Sequence, residues 1–282
     1  MAFKIVVEDR IPTYPGRVVL TPVSGATNTY DLERADRPIS EGTPINKALF
    51  DNKAYTLTEN AMVYVSQSGS DIDGEGTIDR PFKTIQKAVD ALPKHLGGYT
   101  ATITVGSGTY NERVSVVGFS GGKLIIGQPG ENFTIIGIDI VESSFVETNI
   151  PRIEYNQTGS KGLFDVTNGS KVLIKSNMVL NGVSQAGNGI RAIDDSSVAA
   201  ETNVIVEINN CSAAVSAQKC SLVSFDTITG TENMFGMLAY RGSIISYNKD
   251  TMTKWWSNDA NSGGLVLTGS NSTTLSGATI EL

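Results

Sequence analysis

The chain has 282 residues, of which 40% are hydrophobic and only 18% charged, and it contains 29 glycines. Its net charge of -7 argues against nucleic-acid binding, because proteins that bind nucleic acid use clustered lysines and arginines to displace counterions. This composition is typical of a β-rich, turn-rich protein, and we expect no nucleic-acid partner.

The sequence gives no sign of membrane insertion or export. No apolar run approaches the roughly 20 residues that a helix needs to cross a bilayer. The N-terminal residues MAFKIVVEDR carry charges where a signal peptide would be apolar, so we expect synthesis in a cytoplasm without a signal peptide. Cys211 and Cys220 have no metal-binding or redox spacing, and we predict that both are buried thiols.

Residues 1–60 differ from the rest because they are rich in proline and charged residues and lack an alternating apolar pattern. The segment Arg17 to Tyr30 indicates a hairpin or an extended arm. Thr43 followed by Pro44 indicates the start of a short helix. With too few apolar residues for a core of its own, this segment is predicted to attach to a partner or to copies of itself.

The next elements are a strand at MVYVS, starting at Met62, a glycine-rich loop and a helix at PFKTIQKAVDAL. The helix has Asp79 as a candidate cap and places its apolar residues on one face. Short strands follow, in ATITVGSGTY and GGKLIIGQPG. We therefore predict a helix that covers the end of a stack of strands.

Beyond residue 160 a loose repeat becomes visible when the sequence is aligned on a serine. The copies are GLFDVTNGSKV, GIRAIDDSSV, AVSAQKCSLV and GMLAYRGSII, and the aligned serines are Ser170, Ser197, Ser221 and Ser243. Their spacings of 27, 24 and 22 residues suit one coil of a β-solenoid with two or three short strands.

The residue parity around these serines predicts which side chains face inward. Four positions before the serine stand Val166, Ile193, Ala217 and Ala239, and two positions after it stand Val172, Ala199, Val223 and Ile245. Both rows are apolar, whereas the position two before the serine is polar, with Asn168, Asp195, Lys219 and Arg241. Recurring asparagines (Asn181, Asn209 and Asn233) are predicted to stack between coils.

These patterns predict a mainly β fold, a right-handed parallel β-helix (β-solenoid) with an N-terminal capping helix and a small attachment segment. The expected division is residues 1–60 for attachment or oligomerisation, 61–260 for the β-helix and 261–282 for a C-terminal β tail. An antiparallel sandwich is the alternative, although it would place turn signals every 8 to 12 residues or so.

The stretches VYVSQSGSDIDGEG, RPFKTIQKAVDAL and ITVGSGTYNERV resemble the opening of pectin-lyase-like β-helices, with the patterns F-x-T-I-Q-x-A and G-T-Y-x-E. The leader, residues 1–60, resembles N-terminal segments of bacteriophage and prophage tail proteins through VVLTPVSGATNTYDLERADRPISEGTPINKALFD, and the late stretch NSGGLVLTG resembles C-terminal parts of tail fibres. The resemblance implies a virion tail fibre or tailspike, a homotrimer that binds a bacterial surface, with residues 1–60 joined to other tail or baseplate proteins. Residues 131–160 carry no family signal.

Tailspikes of this shape often cleave glycans with paired carboxylates, one acting as acid and the other as base or nucleophile. The catalytic candidates here are Asp194, Asp195, Glu201 and Asp165, with solvated turns as the alternative interpretation. A lyase would need a lysine or arginine beside acidic calcium ligands, and no such set is recognisable by its spacing. The single histidine, His95, has no sequence partner for zinc or for histidine-based catalysis.

The loop from Asp71 partly matches a calcium-binding loop through Asp71, Asp73, Glu75 and Asp79, with Gly76 at the turn. Phe82 stands where a bidentate glutamate would be expected. Calcium is thus a candidate ion, and we expect no other cofactor.

Aromatic side chains near the C-terminus are candidates for glycan contact, because aromatic faces stack on sugar rings and also fill interfaces. They are Trp255, Trp256, Tyr240 and Tyr247. The sequence favours a receptor-binding tail protein that attaches the virion to a cell-surface glycan. Two alternatives stay open, a tailspike depolymerase (glycoside hydrolase or polysaccharide lyase) and a purely structural tail spacer.

Overall fold

The computed structural model describes residues 11–12, 18–22, 24–25, 30–34, 38–40, 56–154, 162–184, 187–252, 254–256, 259–261, 264–268 and 273–274. The chain divides into two compact units. One comprises residues 4–54, and the other comprises residues 55–282 together with residues 1–3.

The unit of residues 4–54 contains two antiparallel strand pairs. Strand β1 (Ile11–Pro12) pairs with β4 (Pro38–Ser40), and β2 (Val18–Pro22) pairs with β3 (Tyr30–Arg34). The second pair confirms the hairpin predicted for this segment. The helix predicted to start at Thr43 lies outside the described residues.

The larger unit consists almost entirely of short strands. It begins with β5 (Ala61–Val65), helix α1 (Ile85–Ala91), β6 (Thr100–Val105), β7 (Gly108–Val117), β8 (Lys123–Ile126), β9 (Phe133–Val141), β10 (Val146–Thr148), β11 (Arg152–Glu154) and β12 (Phe164–Thr167). It continues with β13 (Lys171–Ile174), β14 (Met178–Asn181), β15 (Asn188–Ile193), β16 (Ser197–Ala200), β17 (Ile205–Asn209), β18 (Ala213–Gln218) and β19 (Leu222–Thr229). It ends with β20 (Asn233–Tyr240), β21 (Ile244–Asp250), β22 (Lys254–Trp256), β23 (Asp259–Asn261), β24 (Leu265–Thr268) and β25 (Thr273–Thr274).

Parallel pairings place these strands on three faces of a coil. The first face contains β5, β6, β8, β10, β13, β16, the start of β19, the start of β21, and β24. The second face contains the starts of β7 and β9, then β11, β14, β17 and the ends of β19 and β21. The third face contains the ends of β7 and β9, then β12, β15, β18, β20, β22 and β23.

One row of inward-pointing aliphatic side chains runs along the first face. Its members are at most 3% exposed, and they are Ala101, Leu124, Val146, Val172, Val198, Val223, Ile245 and Val266. Their sequence separations give coils of 21 to 26 residues. The predicted parallel β-helix is confirmed, and the antiparallel sandwich is wrong.

The register corrects one repeat of the sequence alignment by one residue. Val166 pairs with Ala192, which is fully buried, and the half-buried Ile193 pairs with Thr167. The equivalent serine is therefore Ser196 rather than Ser197, and the inward residue after it is Val198 rather than Ala199. Two adjacent serines made the alignment ambiguous, and only the strand pairing distinguishes them.

Buried serines stack at the turn between the third and first faces. Ser170 accepts from the Ser143 amide at 3.0 Å, Ser221 from the Ser196 amide at 3.3 Å and Ser243 from the Ser221 amide at 3.0 Å. The two residues before each serine have positive φ, as in Asp194 and Asp195 at 58° each. Asparagine, aspartate and glycine tolerate this left-handed backbone best, which explains the turns Asn168–Gly169 and Asp194–Asp195 but not Lys219–Cys220.

The asparagine prediction is confirmed for two of its three members. Asn181 and Asn209 pair in register, and the Asn209 amide donates to Asn181 Oδ1 at 3.0 Å. Asn233 has a different position, on the third face, where it is fully buried. It donates to the Ile208 carbonyl and accepts from the Cys211 amide, so it joins two turns inside the fold.

The two cysteines have different environments. Cys211 is buried as predicted, and burial raises the pKa of its thiol to about 12. Cys220 is exposed, so the prediction is wrong for it; it is the second residue of a left-handed turn, with φ 63°, and this position points away from the core. None of the helices among the described residues is both long and apolar enough to cross a membrane.

We predict that Ser221→Ala lowers the free energy of unfolding by about 1–3 kcal/mol, because it leaves the buried Ser196 amide without its acceptor. Ser197→Ala, one residue beyond Ser196, is the control and should change stability by less than about 0.5 kcal/mol. Chemical denaturation measures both. Equal losses in the two variants would contradict the corrected register.

Candidate functional site

The residues that resemble the opening of pectin-lyase-like β-helices build the cap. Thr84, not the predicted Asp79, is the N-cap of α1 and accepts from the Lys87 amide at 3.2 Å. Both oxygens of Glu112 accept from the first helical amides, those of Ile85 at 2.8 Å and Gln86 at 2.9 Å. Burial raises the pKa of Glu112. The motif thus closes the end of the β-helix and indicates no reaction.

The Gln86 side chain joins this helix to the first coil. Its Oε1 accepts from the Ser115 amide at 2.7 Å, and its Nε2 donates to the Ser115 carbonyl at 3.1 Å. These two bonds imitate strand pairing along the edge of β7 that pairs with no strand of the described residues. The helix therefore protects the edge as well as the apolar end of the coil.

The loop considered for calcium has a different arrangement from a calcium site. Asp71 accepts from the Lys83 and Thr84 amides and from the Thr84 hydroxyl, which places its carboxylate against the start of α1. Glu75 pairs with Arg80, and Asp73 and Asp79 are exposed. Within the described part of the chain, no three acidic, histidine or cysteine side chains gather into a metal-binding cluster.

Among the catalytic candidates, Asp165 is the most deeply buried and belongs to a ladder of charges. Its side chain is 5% exposed and accepts from Arg191 Nε at 3.0 Å and Nη2 at 2.7 Å. Arg113 donates to Asp139 at 2.6 and 2.7 Å and also reaches Asp165 at 3.4 Å. These carboxylates follow each other on adjacent strands, β9 and β12. Each is held by arginine, so the ladder compensates charge on the outer side of the third face.

The remaining candidates lie at two other places on the coil. Asp194 and Asp195 occupy a turn between the third and first faces, and Asp194 pairs with Lys219 at 2.8 Å. Glu201 follows the first-face strand β16 and pairs with Lys175, whose pKa this hydrogen bond raises. The structure does not bring Asp165, Asp194, Asp195 and Glu201 together into one group.

A groove of about 360 Å³ lies on the outside of the last coils, where the first face turns into the second. Its polar lining residues are Thr202, Ser224, Asp226, Ser246 and Asn248. Phe225 and Tyr247 separate these rows and are only 3% and 8% exposed, and Ala200 and Leu267 complete the lining. We call this cavity the outer groove.

Strand register creates the outer groove by repetition. Ser224 pairs with Ser246 and Phe225 with Tyr247, so that the sequences Ser-Phe-Asp and Ser-Tyr-Asn lie side by side. Asn248 donates to Asp226 Oδ1 at 2.8 Å, and the Asn203 amide donates to Asp226 Oδ2 at 3.1 Å. The Asn248 bond is the main cause that lowers the pKa of Asp226, which is therefore an ionised acceptor at neutral pH.

The aromatic candidates do not share one surface. Tyr247 lines the outer groove, whereas Tyr240 belongs to the third face and pairs in register with Gln218. Trp255 and Trp256 are in β22, but their side chains lie outside the described residues. The groove residues Ser224, Asp226, Ser246 and Asn248 were missed by the sequence analysis, although the 22-residue repeat of Ser-aromatic-Asp/Asn was a signal for them.

Comparison with known proteins gives little beyond this geometry. No protein-family model and no curated protein matches the sequence. Among solved structures, the chain is similar to a "Rhamnogalacturonan lyase", with 10% identity, a TM-score of 0.34, and coverage of 68% of this chain and 73% of that chain. So low a score carries no argument about function, and the fold follows from the strand pairings themselves.

We predict that Asp165→Asn destabilises the protein by about 3 kcal/mol, because it leaves Arg191 without its carboxylate in a largely buried position. Asp195→Asn makes the same chemical change at an exposed turn position and should cost less than about 0.5 kcal/mol. Denaturant titration compares the two. A stable Asp165→Asn variant would show that the charge ladder contributes little to folding.

Proposed function

We propose that this protein is a receptor-binding tail protein of a bacteriophage, and that its outer groove attaches the virion to a bacterial cell-surface glycan. The observation that carries the proposal is the lining of the groove. Hydroxyl, amide and carboxylate groups lie there on adjacent strands beside two aromatic residues. Sugar hydroxyls both donate and accept hydrogen bonds, and such a mixed set of partners suits them.

The periodicity of the coil supports a polymeric ligand. Adjacent parallel strands lie about 4.8 Å apart, so Ser224 and Ser246, like Asp226 and Asn248, present similar groups at regular steps along the axis. An extended glycan that runs along the axis would meet one such step after another. A rigid array of this kind binds without first paying the entropy of ordering a loop.

The charge pairing favours binding over cleavage. Glycoside hydrolysis requires two carboxylates that flank the scissile bond, one of them with a raised pKa. Among the residues that line the outer groove, Asp226 is the single carboxylate, and its pKa is lowered. Asp165 and Asp194 are paired with basic side chains elsewhere on the coil, and Glu201, which stands between the lining residues Ala200 and Thr202, is paired with Lys175. The depolymerase therefore remains the second candidate function.

The tail assignment is supported by the sequence resemblance of the leader and of the late NSGGLVLTG stretch to phage tail proteins. In this proposal residues 1–60 join other tail or baseplate proteins, and the β-helix forms a stiff shaft in a homotrimer located in the virion tail. Three copies of a modest site would add avidity on a repetitive polymer. A purely structural spacer, the third candidate, would have no saccharide affinity.

We expect Asp226→Asn to weaken binding to host surface polysaccharide about tenfold, because hydrogen bonds to a charged acceptor are stronger than those to a neutral one. Asp79→Asn removes the same charge from the exposed cap loop at the other end of the coil and should bind normally. Binding to purified polysaccharide by biolayer interferometry measures both. Equal affinity of the two variants would place the saccharide site outside the groove.

We expect no release of reducing sugar or of unsaturated uronate from the same polysaccharide. Purified protein incubated with the polysaccharide, followed by chromatography of the products, measures this. Product formation that is abolished by Asp194→Asn or Glu201→Gln would support the depolymerase instead.

A further inference from the structure

The charges of the residues that line the outer groove determine which glycans can bind there. Asp226 is the acidic residue of the lining, and none of the lining residues in the described part of the chain is basic. The hydrogen bond from Asn248 keeps the Asp226 carboxylate in its ionised form. The groove therefore presents a fixed negative charge to any ligand.

The neighbouring cations do not neutralise this charge. Lys175, two coils from Asp226, is already paired with Glu201, which lies in the coil between them. Lys249 follows Asn248 in the chain, but it pairs in register with Thr227 on the second face and does not line the groove. A ligand carboxylate or phosphate in the groove would meet like charge without a cationic partner among the described lining residues, which costs affinity.

Asp226 retains capacity for neutral partners. Each carboxylate oxygen has two lone pairs, and Oδ1 and Oδ2 each accept one protein hydrogen bond, from Asn248 and from the Asn203 amide. Two further donors can thus approach the carboxylate, and the hydroxyls of Ser224 and Ser246 lie on the adjacent strands. A pair of vicinal sugar hydroxyls matches this arrangement.

Phe225 and Tyr247 add a second restriction. Both side chains are almost fully buried, so neither offers an open ring face to the groove. A sugar there gains little from stacking, and hydrogen bonds determine the recognition. Recognition of this kind depends strongly on the charge state of the acceptor.

From these features we infer that the outer groove selects neutral glycans, and that it rejects polymers that carry uronate, sialate or phosphate groups. This inference builds on the proposed function, since it presupposes that the groove binds saccharide. It sets the chain apart from proteins that recognise acidic polysaccharides through arginine or lysine.

The test is an array of purified bacterial surface polysaccharides, half of them neutral and half carrying uronate, sialate or phosphate groups. We expect the full-length protein to bind neutral members only, with less than about twofold change in affinity between low and high salt, because no ion pair with the ligand is screened. Asp226→Asn should lose about tenfold in affinity for neutral members without gaining acidic ones. Asp226→Lys should lose neutral members and gain acidic ones.

Asp79→Lys, with the same charge reversal on the cap loop, is the matched control and should keep the wild-type selectivity. Thermal unfolding of each variant shows whether it is folded; if Asp226→Lys does not fold, Asp226→Asn and the salt dependence of the wild type still decide. Binding to acidic members only would overturn the neutral selectivity and leave the glycan-binding function standing. Binding to no member would overturn both.

Discussion

The structure depends on the register of parallel strands between coils. A single coil of 21 to 26 residues has an apolar interior that it cannot cover alone, and burial becomes complete only when the next coil stacks on it. Fully burying each aliphatic side chain is worth about 1.5–3 kcal/mol, so the inward row from Ala101 to Val266 provides a large share of the stability. A slip of one residue would turn that row outward.

Polar side chains inside the turns complete the same register. Every turn leaves backbone amides and carbonyls out of the strand ladder, and buried groups of this kind need partners. The serines at the turn between the third and first faces supply them, since Ser170, Ser221 and Ser243 each accept from the amide of a serine in the preceding coil. Asn233 does the same between two other turns. The stacked turns, which share a left-handed backbone, therefore support the same register that the apolar row sets.

The outer surface repeats in the same way, and this has consequences for function. Equivalent positions in successive coils become neighbours, so charges either compensate each other or accumulate. Arg113, Asp139, Asp165 and Arg191 compensate, as do Lys175 and Glu201. Among the residues that line the groove, the neighbours of Asp226 are instead serine hydroxyls and an amide, which leaves an ionised acceptor in a polar groove. This hydrogen-bonding capacity distinguishes the outer groove from the paired charges of the third face.

The fold class was predictable from the sequence alone, because an apolar row that returns once per coil can be recognised without knowing which strands pair. The cap helix and the turns were predictable as well, through the helical spacing of Ile85, Ala88 and Val89 and through residues such as Asp194 and Asp195 that accept a left-handed backbone. Contacts between coils were not predictable in this way. Ser196 and Ser197 are equivalent to any alignment, and only strand pairing shows which one is buried. Asp226 and Asn248, which are 22 residues apart in the sequence, lie side by side in the outer groove, whereas Asp165 and Glu201 lie at different places on the coil. The length of each coil determines which residues become neighbours. That length is the sum of the turn and strand lengths, which no local pattern encodes.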